Sequence, residues 1–265
     1  MKIDQRIINE MDVLFEEAKE DIYCLSMLLM AGALLKDNAY YKKNISAMMD
    51  LLDGIAFINA ADSFKAWIYG RIVFAAGLMR DEVNAANACV RLRELLVSLK
   101  TADAYSCWAW GYLAGINHEE YMFAKNRMRR ECEKLSADHA AHNSQAHLSN
   151  AIWGWIMCLL AASAARDDEM YDDAFSRILT LTHQQTVMDA LSFGLLRSAA
   201  SNDYPAWALA MVRLAAARHG DAQRCTELAQ PVMTAITESL AAEARYEYIL
   251  ASLTNAVSCE PVLFT

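Results

Sequence analysis

The chain of 265 residues is 55% hydrophobic and 22% charged, a composition that supplies a large apolar core and argues against disorder. Its net charge of −9 argues against general binding to nucleic acids, because that binding depends on clustered lysine and arginine side chains. An acidic surface also disfavours anionic membranes and favours a protein partner with a basic surface.

Three further features predict where the protein resides. Seven cysteines are scattered without a Cys-x-x-Cys pair, so we expect free thiols in a reducing compartment. The first residues, MKIDQRIINEMD, carry charges where a signal peptide requires an apolar stretch. The longest uncharged apolar runs, 22–35 and 151–165, are shorter than the roughly 20 residues that cross a bilayer and are interpreted as buried helices. The sequence therefore predicts a cytoplasmic protein without membrane contact.

The predicted secondary structure is helical throughout. Proline occurs 3 times and glycine 9 times, whereas alanine, leucine and methionine, which are strong helix formers, are abundant. No segment alternates between polar and apolar residues for long enough to indicate a strand. Caps and breaks predict helices over 4–20, 22–35, 40–52, 62–79, 82–99, 103–116, 119–135, 136–166, 168–181, 184–199 and 205–219. A further helix is predicted from Asp221 onward, and a last long helix opens at Pro231.

Neighbouring helices alternate in character. The segment 64–79 is apolar nearly all round and is predicted to be buried on most sides. The segment 82–99 that follows it is amphipathic and is predicted to cover it. The same scheme recurs in later pairs of segments, which predicts a series of antiparallel helical hairpins.

Tryptophans mark the buried members of these pairs. Trp67, Trp110 and Trp153 follow one another at intervals of 43 residues. A repeat of this length, with one buried and one amphipathic helix, predicts stacked antiparallel hairpins in an α-solenoid that forms a single all-α domain, 1–265. The alternative is an irregular helical bundle in which the tryptophan spacing is accidental.

One hairpin resembles a known family. In the segment AWALAMVRLAAARHGDAQRCTELA, Ala206, Leu209 and Val212 fall where tetratricopeptide-type repeats place small and apolar residues, and Gly220-Asp221 matches the turn between their helices. The segment, about one-tenth of the chain, therefore resembles a tetratricopeptide-type (TPR-like) hairpin. The resemblance implies a TPR-like superhelix that binds peptides or proteins.

No group of residues predicts a catalytic or metal site. His139, His142 and His147 lack a Cys or carboxylate at ligand spacing and are interpreted as exposed residues at a helix start. The acidic run 166–173 is interpreted as first-turn charges, and the basic residues of 125–134 as a solvated face, because interspersed glutamates nearly cancel them. No phosphate loop, nucleophile elbow or dinucleotide fingerprint occurs. The sequence therefore predicts no enzyme, no cofactor and no metal.

Paired tryptophans give the main indication of a binding surface. Residues two apart on a helix point about 160° apart, so Trp108 with Trp110, and Trp153 with Trp155, cannot share a face. Either each helix is packed on both sides, or one tryptophan of each pair faces an open groove. Tryptophan, tyrosine and arginine are the usual anchors of interfaces. The residues predicted to contact a partner are Trp67, Tyr69, Arg71, Trp108, Tyr112, Trp155 and Arg213.

These observations lead to three functional hypotheses. The first is a non-enzymatic scaffold (an adaptor, chaperone or regulatory subunit) whose inner helices line a concave groove for an amphipathic helix or extended peptide. The second is an enzyme or small-molecule binder with a pocket between inner helices, anchored by Arg71, Arg166 or Arg213. The third is a toxin-neutralising or effector-handling protein, acidic to meet a basic target. Homo-oligomerisation is compatible with all three.

Overall fold

The computed structural model describes residues 5–101, 103–182 and 204–259, and all the regular secondary structure in these ranges is helical. The predicted all-α class is thereby confirmed. The helix predicted over 184–199 lies outside the described residues.

The chain divides into two compact units, Met1–Lys100 (unit 1) and Thr101–Thr265 (unit 2). The single domain expected from the sequence stays a prediction. The helices of unit 1 are α1 (Gln5–Ala18), α2 (Ile22–Leu35), α3 (Asn38–Leu52), α4 (Ile55–Ile58), α5 (Asp62–Met79) and α6 (Glu82–Ser98). Those of unit 2 are α7 (Ala104–Ala114), α8 (His118–His142), α9 (Gln145–Ala165), α10 (Asp168–Thr182), α11 (Pro205–His219), α12 (Ala222–Glu227), α13 (Ala229–Ala241) and α14 (Arg245–Ser258).

Unit 1 is built around α2 and α5. α2 packs against α1, α3 and α5, and α5 packs in turn against α6. Every residue of α2 from Leu25 to Leu34 is buried, which explains why this helix has no polar face. The amphipathic α6 buries Ala88, Leu92 and Leu96 and leaves its opposite face to solvent. The expected pairing of an apolar helix with an amphipathic cover is therefore present in α5 and α6.

Unit 2 repeats this pairing. α7 packs on α8, α9 on α10, and α11 on both α12 and α13. The apolar members also contact one another in chain order, because α7 packs against α9, α9 against α11, and α11 against α14. We call α2, α5, α7, α9, α11 and α14 the inner helices. Each has neighbours on at least two sides, which accounts for their high apolar content.

The helix α9 contains the longest apolar stretch. Its segment Ala146–Ala165 spans 20 residues with a mean hydropathy of 1.5, and is long and apolar enough to cross a membrane by length and composition. However, 78% of the apolar window is buried within the protein. α9 contacts α7, α8, α10 and α11, which is the environment of a core helix. This packing agrees with the interpretation of 151–165 as a buried helix.

The boundary between α8 and α9 differs from the prediction. The sequence predicts a helix that ends at Leu135 and a new start at Ser136, but α8 continues without a break to His142. The Ser136 hydroxyl donates to the carbonyl oxygen of Cys132 at 2.9 Å, four residues earlier in the same helix. A serine that bonds in this way lies inside a helix and does not cap one, which explains the error.

The actual break follows seven residues later. Asn143 adopts the left-handed conformation with φ 45°, and its amide donates to the carbonyl of His139. Ser144 then caps α9 by accepting the backbone N–H of His147. His139 and His142 therefore close α8, whereas the sequence placed them at a helix start. The rings of His142 and His147 stack across the break at 4.7 Å.

The last predicted helix is divided in two. The sequence predicts one long helix from Pro231, but α13 and α14 are separated at Glu243, which adopts the left-handed conformation with φ 57°. Pro231 lies in the first turn of α13, where a missing backbone N–H costs no helical hydrogen bond. The helix predicted from Asp221 onward is present as α12, but it ends at Glu227. The sequence does not predict α4, because a helix of four residues is too short to show a periodic pattern.

Four inner helices end in the same kind of turn. The residue that follows the helix adopts the left-handed conformation: Lys36, Arg80 and Arg166 with φ 57°, and Gly220 with φ 89°. The next residue is an aspartate whose carboxylate accepts a backbone N–H and caps the following helix: Asp37, Asp81, Asp167 and Asp221. The tight hairpin predicted at Gly220-Asp221 is thus observed, and three equivalent turns use a basic residue where glycine would carry less strain.

Tyrosines join these turns to the preceding hairpin. The hydroxyl donates to the capping aspartate of the next turn in three places: Tyr41 to Asp81 at 3.1 Å, Tyr121 to Asp167 at 2.7 Å, and Tyr171 to Asp221 at 3.4 Å. Each tyrosine lies four residues after a helix cap, at Asp37, Asn117 and Asp167 respectively. We call these hydrogen bonds the Tyr–Asp links.

The links help to lower the pKa of two aspartates that accept them, Asp81 and Asp167. Burial by itself would raise the pKa of Asp81, but hydrogen bonds from Asn84 and Tyr41 outweigh it, so the pKa lies below its ordinary value. The pKa of Asp167 is lowered against burial in the same way, by Lys125, by its backbone bond and by Tyr121. Their contribution to stability is present above the ordinary carboxylate pKa and is lost as pH falls through the lowered one.

We expect Tyr41→Phe to destabilise the protein by about 1–2 kcal/mol, because it removes a hydrogen bond to a carboxylate at a buried position. The matched control is Tyr69→Phe in the same unit. Within the described residues the Tyr69 hydroxyl makes no hydrogen bond, so this variant is expected to cost less than about 0.5 kcal/mol. Urea unfolding measures both values, and equal costs would contradict the assigned role of the link.

Glu247 of α14 caps the neighbouring helix α11. The side chain of Tyr204, the N-cap residue of α11, does not cap the helix. Instead, the buried Glu247 carboxylate accepts the backbone N–H of Ala206 at 2.6 Å and that of Trp207. Burial raises the pKa of Glu247 above its ordinary value, although these two backbone bonds lower it in part.

We expect Glu247→Gln to change the pH dependence of stability. Because the pKa of Glu247 is raised in the folded state, its contribution is fully present below about 4.5 and is lost as pH rises through the folded value. The stability of the unmodified protein relative to Glu247→Gln should therefore fall between pH 4 and pH 7 in urea unfolding. The control, Glu238→Gln on the exposed face of α13, should show a constant difference. A difference that stays flat for Glu247→Gln would contradict this assignment.

Candidate functional site

The tryptophan pairs of unit 2 are divided between core and surface. Trp110 retains 4% of its surface and Trp155 none, whereas Trp108 and Trp153 remain partly exposed. Residues about 160° apart on one helix separate in this way when the helix has one open side. In each pair one tryptophan is therefore buried and the other is partly exposed, while the open groove stays a prediction.

The buried tryptophans are held by hydrogen bonds to α8. Trp110 Nε1 donates to Glu131 Oε1 at 3.1 Å. The same buried carboxylate accepts from the hydroxyl of Ser106 at 2.7 Å and from Arg127 Nε at 2.7 Å. Trp155 Nε1 donates to the Ser136 hydroxyl at 3.0 Å. These two indoles are therefore fixed parts of the core of unit 2.

The exposed tryptophans lie beside further aromatic rings. The ring of Tyr105 meets that of Trp108 edge-on at 5.6 Å, and the ring of Trp153 lies 5.2 Å from that of Trp207. The ring of Tyr204 meets that of Trp207 edge-on at 6.2 Å. We call Tyr105, Trp108, Trp153 and Tyr204 the accessible aromatic set, because these four are the members with exposed surface. They belong to α7, α9 and the cap of α11, which pack in succession.

The predicted site residues of unit 1 lie mostly in its core. Arg71 retains 3% of its surface and Trp67 4%. The Arg71 guanidinium lies 3.7 Å from the centre of the Trp67 ring and 5.3 Å from that of Tyr23, which is a cation–π arrangement. Its Nη1 donates to the Ser26 hydroxyl at 2.7 Å. Arg71 therefore joins α5 to α2 from within the core.

The remaining predicted residues occupy three different environments. Tyr69 is partly exposed and meets Phe57 edge-on at 6.0 Å, and burial raises its pKa although Arg91 lowers it in part. Tyr112 is buried. Arg213 is partly exposed, and its Nε donates to the carbonyl of Cys225 at 3.1 Å. Its Nη1 also donates to the side-chain oxygen of Asn255.

Of the predicted site residues, only Trp108 belongs to the accessible aromatic set. The predicted residues include the buried Trp155 and not Trp153, and they do not include Tyr105 or Tyr204. The helix α9 is apolar on all sides, so no polar face indicates which tryptophan points outward. The sequence did offer one signal for Tyr105 and Tyr204. Each lies three residues before a tryptophan, a spacing that brings the tyrosine ring next to the tryptophan ring.

Three basic residues of α8, Lys125, Arg127 and Arg129, are paired with carboxylates. Lys125 contacts Asp167, which also accepts from Tyr121. Arg129 lies 3.5 Å from Glu133 and 3.0 Å from Asp173 of α10. This face therefore presents balanced charge, which agrees with its interpretation as a solvated surface.

The part of the chain that the structure describes contains no group of three His, Cys, Asp or Glu side chains arranged to hold a metal ion. The first carboxylates of the acidic run 166–173 serve other purposes. Asp167 caps α10, and Asp168 lies 3.2 Å from His219 Nε2.

Comparison of the chain with protein-family models, with curated proteins and with solved structures finds no match. The TPR-like resemblance therefore stays a prediction.

We expect acrylamide to quench the fluorescence of Trp153 more strongly than that of Trp155. The variant Trp153→Phe should therefore remove a larger share of the quenchable emission than Trp155→Phe, because only the first ring has exposed surface. The pair Trp108→Phe and Trp110→Phe provides an independent repetition on α7. Equal quenching losses within both pairs would show that the exposed rings are shielded in solution.

Proposed function

We propose that this protein is a non-enzymatic protein–protein interaction scaffold, an adaptor, chaperone or regulatory subunit, whose helical hairpins stack as a TPR-like α-solenoid. The observation that carries the proposal is the accessible aromatic set on consecutive inner helices of unit 2. In a single folded chain, exposed tryptophans carried by the most buried helices are better explained by a partner than by folding, since burial would stabilise the fold further.

The order of helix contacts supports the stacked arrangement. In unit 2 each inner helix packs on its own outer partner and on the next inner helix, as nearest-neighbour repeats do. The Tyr–Asp links recur at these boundaries, from Tyr121 to Asp167 and from Tyr171 to Asp221. A repeated contact between successive hairpins gives each hairpin a defined position relative to the next, which a scaffold requires.

The aromatic side chains supply the chemistry of anchoring. Tryptophan and tyrosine combine a large apolar area with a polar edge and few rotatable bonds, and they dominate the energetics of many interfaces. Apolar side chains of the partner would pack against the accessible surfaces of Trp108 and Trp153. An amphipathic helix or an extended peptide offers such side chains at regular spacing.

The charge of the chain suggests the character of the partner. With a net charge of −9, the protein attracts a basic segment and repels acidic ones, which affects the association rate more than the final affinity. Nucleic acid and membrane are not proposed as partners. We propose a cytoplasmic location, because the cysteines described in the structure are all free thiols.

Affinity purification from the native host, followed by reconstitution with the recovered protein, tests the proposal. Trp108→Ala and Trp153→Ala should each weaken binding by roughly 30-fold, the effect of losing an interface anchor. Met122→Ala is the matched control, because Met122 is 59% exposed on the outer helix α8 and should leave affinity unchanged. Circular dichroism of each variant verifies that the helices are retained.

Two outcomes would contradict the proposal. A stoichiometric partner that binds both tryptophan variants as tightly as the unmodified protein would remove the accessible aromatic set from the interface. Recovery of the chain with only a bound metabolite would favour the small-molecule binder, and recovery of additional copies of the chain alone would favour self-association.

A further inference from the structure

Three cysteine thiols from three helices meet in the core of unit 2. Cys107 of α7, Cys132 of α8 and Cys158 of α9 are all fully buried. The Sγ atoms of Cys107 and Cys132 are 3.2 Å apart, and those of Cys132 and Cys158 are 3.5 Å apart. We call these residues the thiol cluster. All three are free cysteines in the structure.

The backbone of α9 closes the cluster on one side. Gly154 has no side chain, and a Cβ atom added there would lie 3.1 Å from Cys107 Sγ and 3.4 Å from Cys132 Sγ. The two sulfur atoms therefore lie against the space that a side chain at position 154 would fill. Close packing of this kind holds the reacting atoms together and gives them a high effective concentration for each other.

The geometry points to a reversible disulfide between Cys107 and Cys132, formed by a small peroxide oxidant and joining α7 to α8. A disulfide has an S–S distance of about 2.05 Å, so the two sulfurs must approach by roughly 1 Å. Rotation about the Cα–Cβ bonds with a small shift of the helices supplies this movement. The pair formed by Cys132 and Cys158 is more widely spaced and is therefore the less favourable one.

The chemistry balances with hydrogen peroxide as the oxidant. The Cys107 thiol loses its proton, and its sulfur attacks one peroxide oxygen and breaks the O–O bond, which gives a sulfenic acid and one water once the leaving hydroxide is protonated. The Cys132 thiol then attacks the sulfenic sulfur, and the hydroxyl group leaves with the thiol proton as a second water. The two thiols lose two electrons and two protons in total, and the peroxide is reduced.

The surroundings make Cys107 the better first nucleophile. Its hydrogen bond with Cys132 lowers the pKa of Cys107, although burial and the nearby Cys158 and Glu131 raise it overall. Burial raises the pKa of Cys132 well above its ordinary value, and its bonds with both neighbouring cysteines raise it further. The thiolate is the reactive form, so oxidation is expected to be slow and to require local opening of the core.

The test uses the full chain with the exposed Cys259 replaced by serine, which prevents cross-linking between molecules. After treatment with hydrogen peroxide and blocking of remaining thiols, peptide mass spectrometry without reduction should identify a Cys107–Cys132 disulfide. The bond closes a loop across 25 positions and should raise the midpoint of thermal unfolding by roughly 5–10 °C, reversibly with dithiothreitol. Low urea that leaves the fold intact should accelerate its formation.

Two variants separate the proposed pair from the rest of the cluster. Cys158→Ala should still form the disulfide and show the thermal shift, whereas Cys107→Ala should lose both. Peroxide treatment that oxidises Cys89 and Cys225 while Cys107 and Cys132 remain thiols would overturn the inference. A disulfide found only between Cys132 and Cys158 would overturn it as well.

Discussion

Burial of the inner helices on several sides is the constraint on which the rest of this structure depends. α2, α9 and α11 have no continuous polar face, so each needs neighbours around most of its circumference. The chain meets this need locally, first with the outer helix that follows and then with the next inner helix. At about 25 cal/mol per Å² of buried apolar surface, these contacts supply most of the stabilisation.

Apolar contacts alone allow helices to slide, and a few buried polar groups remove this freedom. Each of them joins two helices that already pack together: Arg71 bonds α5 to α2, Glu131 bonds α8 to α7, and Glu247 bonds α14 to α11. A misplaced helix would leave these groups buried without their hydrogen bonds, which costs more than the bonds contribute when formed. The polar groups therefore select one register among several that the apolar surfaces would accept.

The sequence predicts this fold best where local signals act alone. The bounds of α2 agree with the predicted helix at both ends, because Asp21 caps its start and Lys36 ends it. Prediction fails where tertiary contacts decide the outcome. Serine is a common capping residue, but Ser136 lies in the middle of α8. Its hydroxyl donates to the carbonyl of Cys132 and accepts from the indole N–H of Trp155 in α9. The break occurs at Glu243, which adopts the left-handed conformation although it is not a glycine, so the sequence does not indicate it.

The candidate site shows the same division. Helical geometry alone predicts that the tryptophans of each pair separate, and the structure agrees. Which tryptophan of α9 faces outward depends on the helices that pack against α9. The sequence of α9 contains no pattern that indicates where these helices lie. The same argument therefore selected the partly exposed Trp108 on α7 and the buried Trp155 on α9.

The Tyr–Asp links also restrict how the length of this chain can vary. From Tyr41 to Asp81 the chain advances 40 positions, from Tyr121 to Asp167 it advances 46, and from Tyr171 to Asp221 it advances 50. One residue inserted in the single turn between a cap and its tyrosine would rotate the hydroxyl by about 100° and remove it from its aspartate. Insertions and deletions are therefore tolerated only beyond the tyrosine, in the outer helix and the connection that follows it. Hairpins of different length can therefore follow one another along the chain while the same Tyr–Asp link joins each to the next.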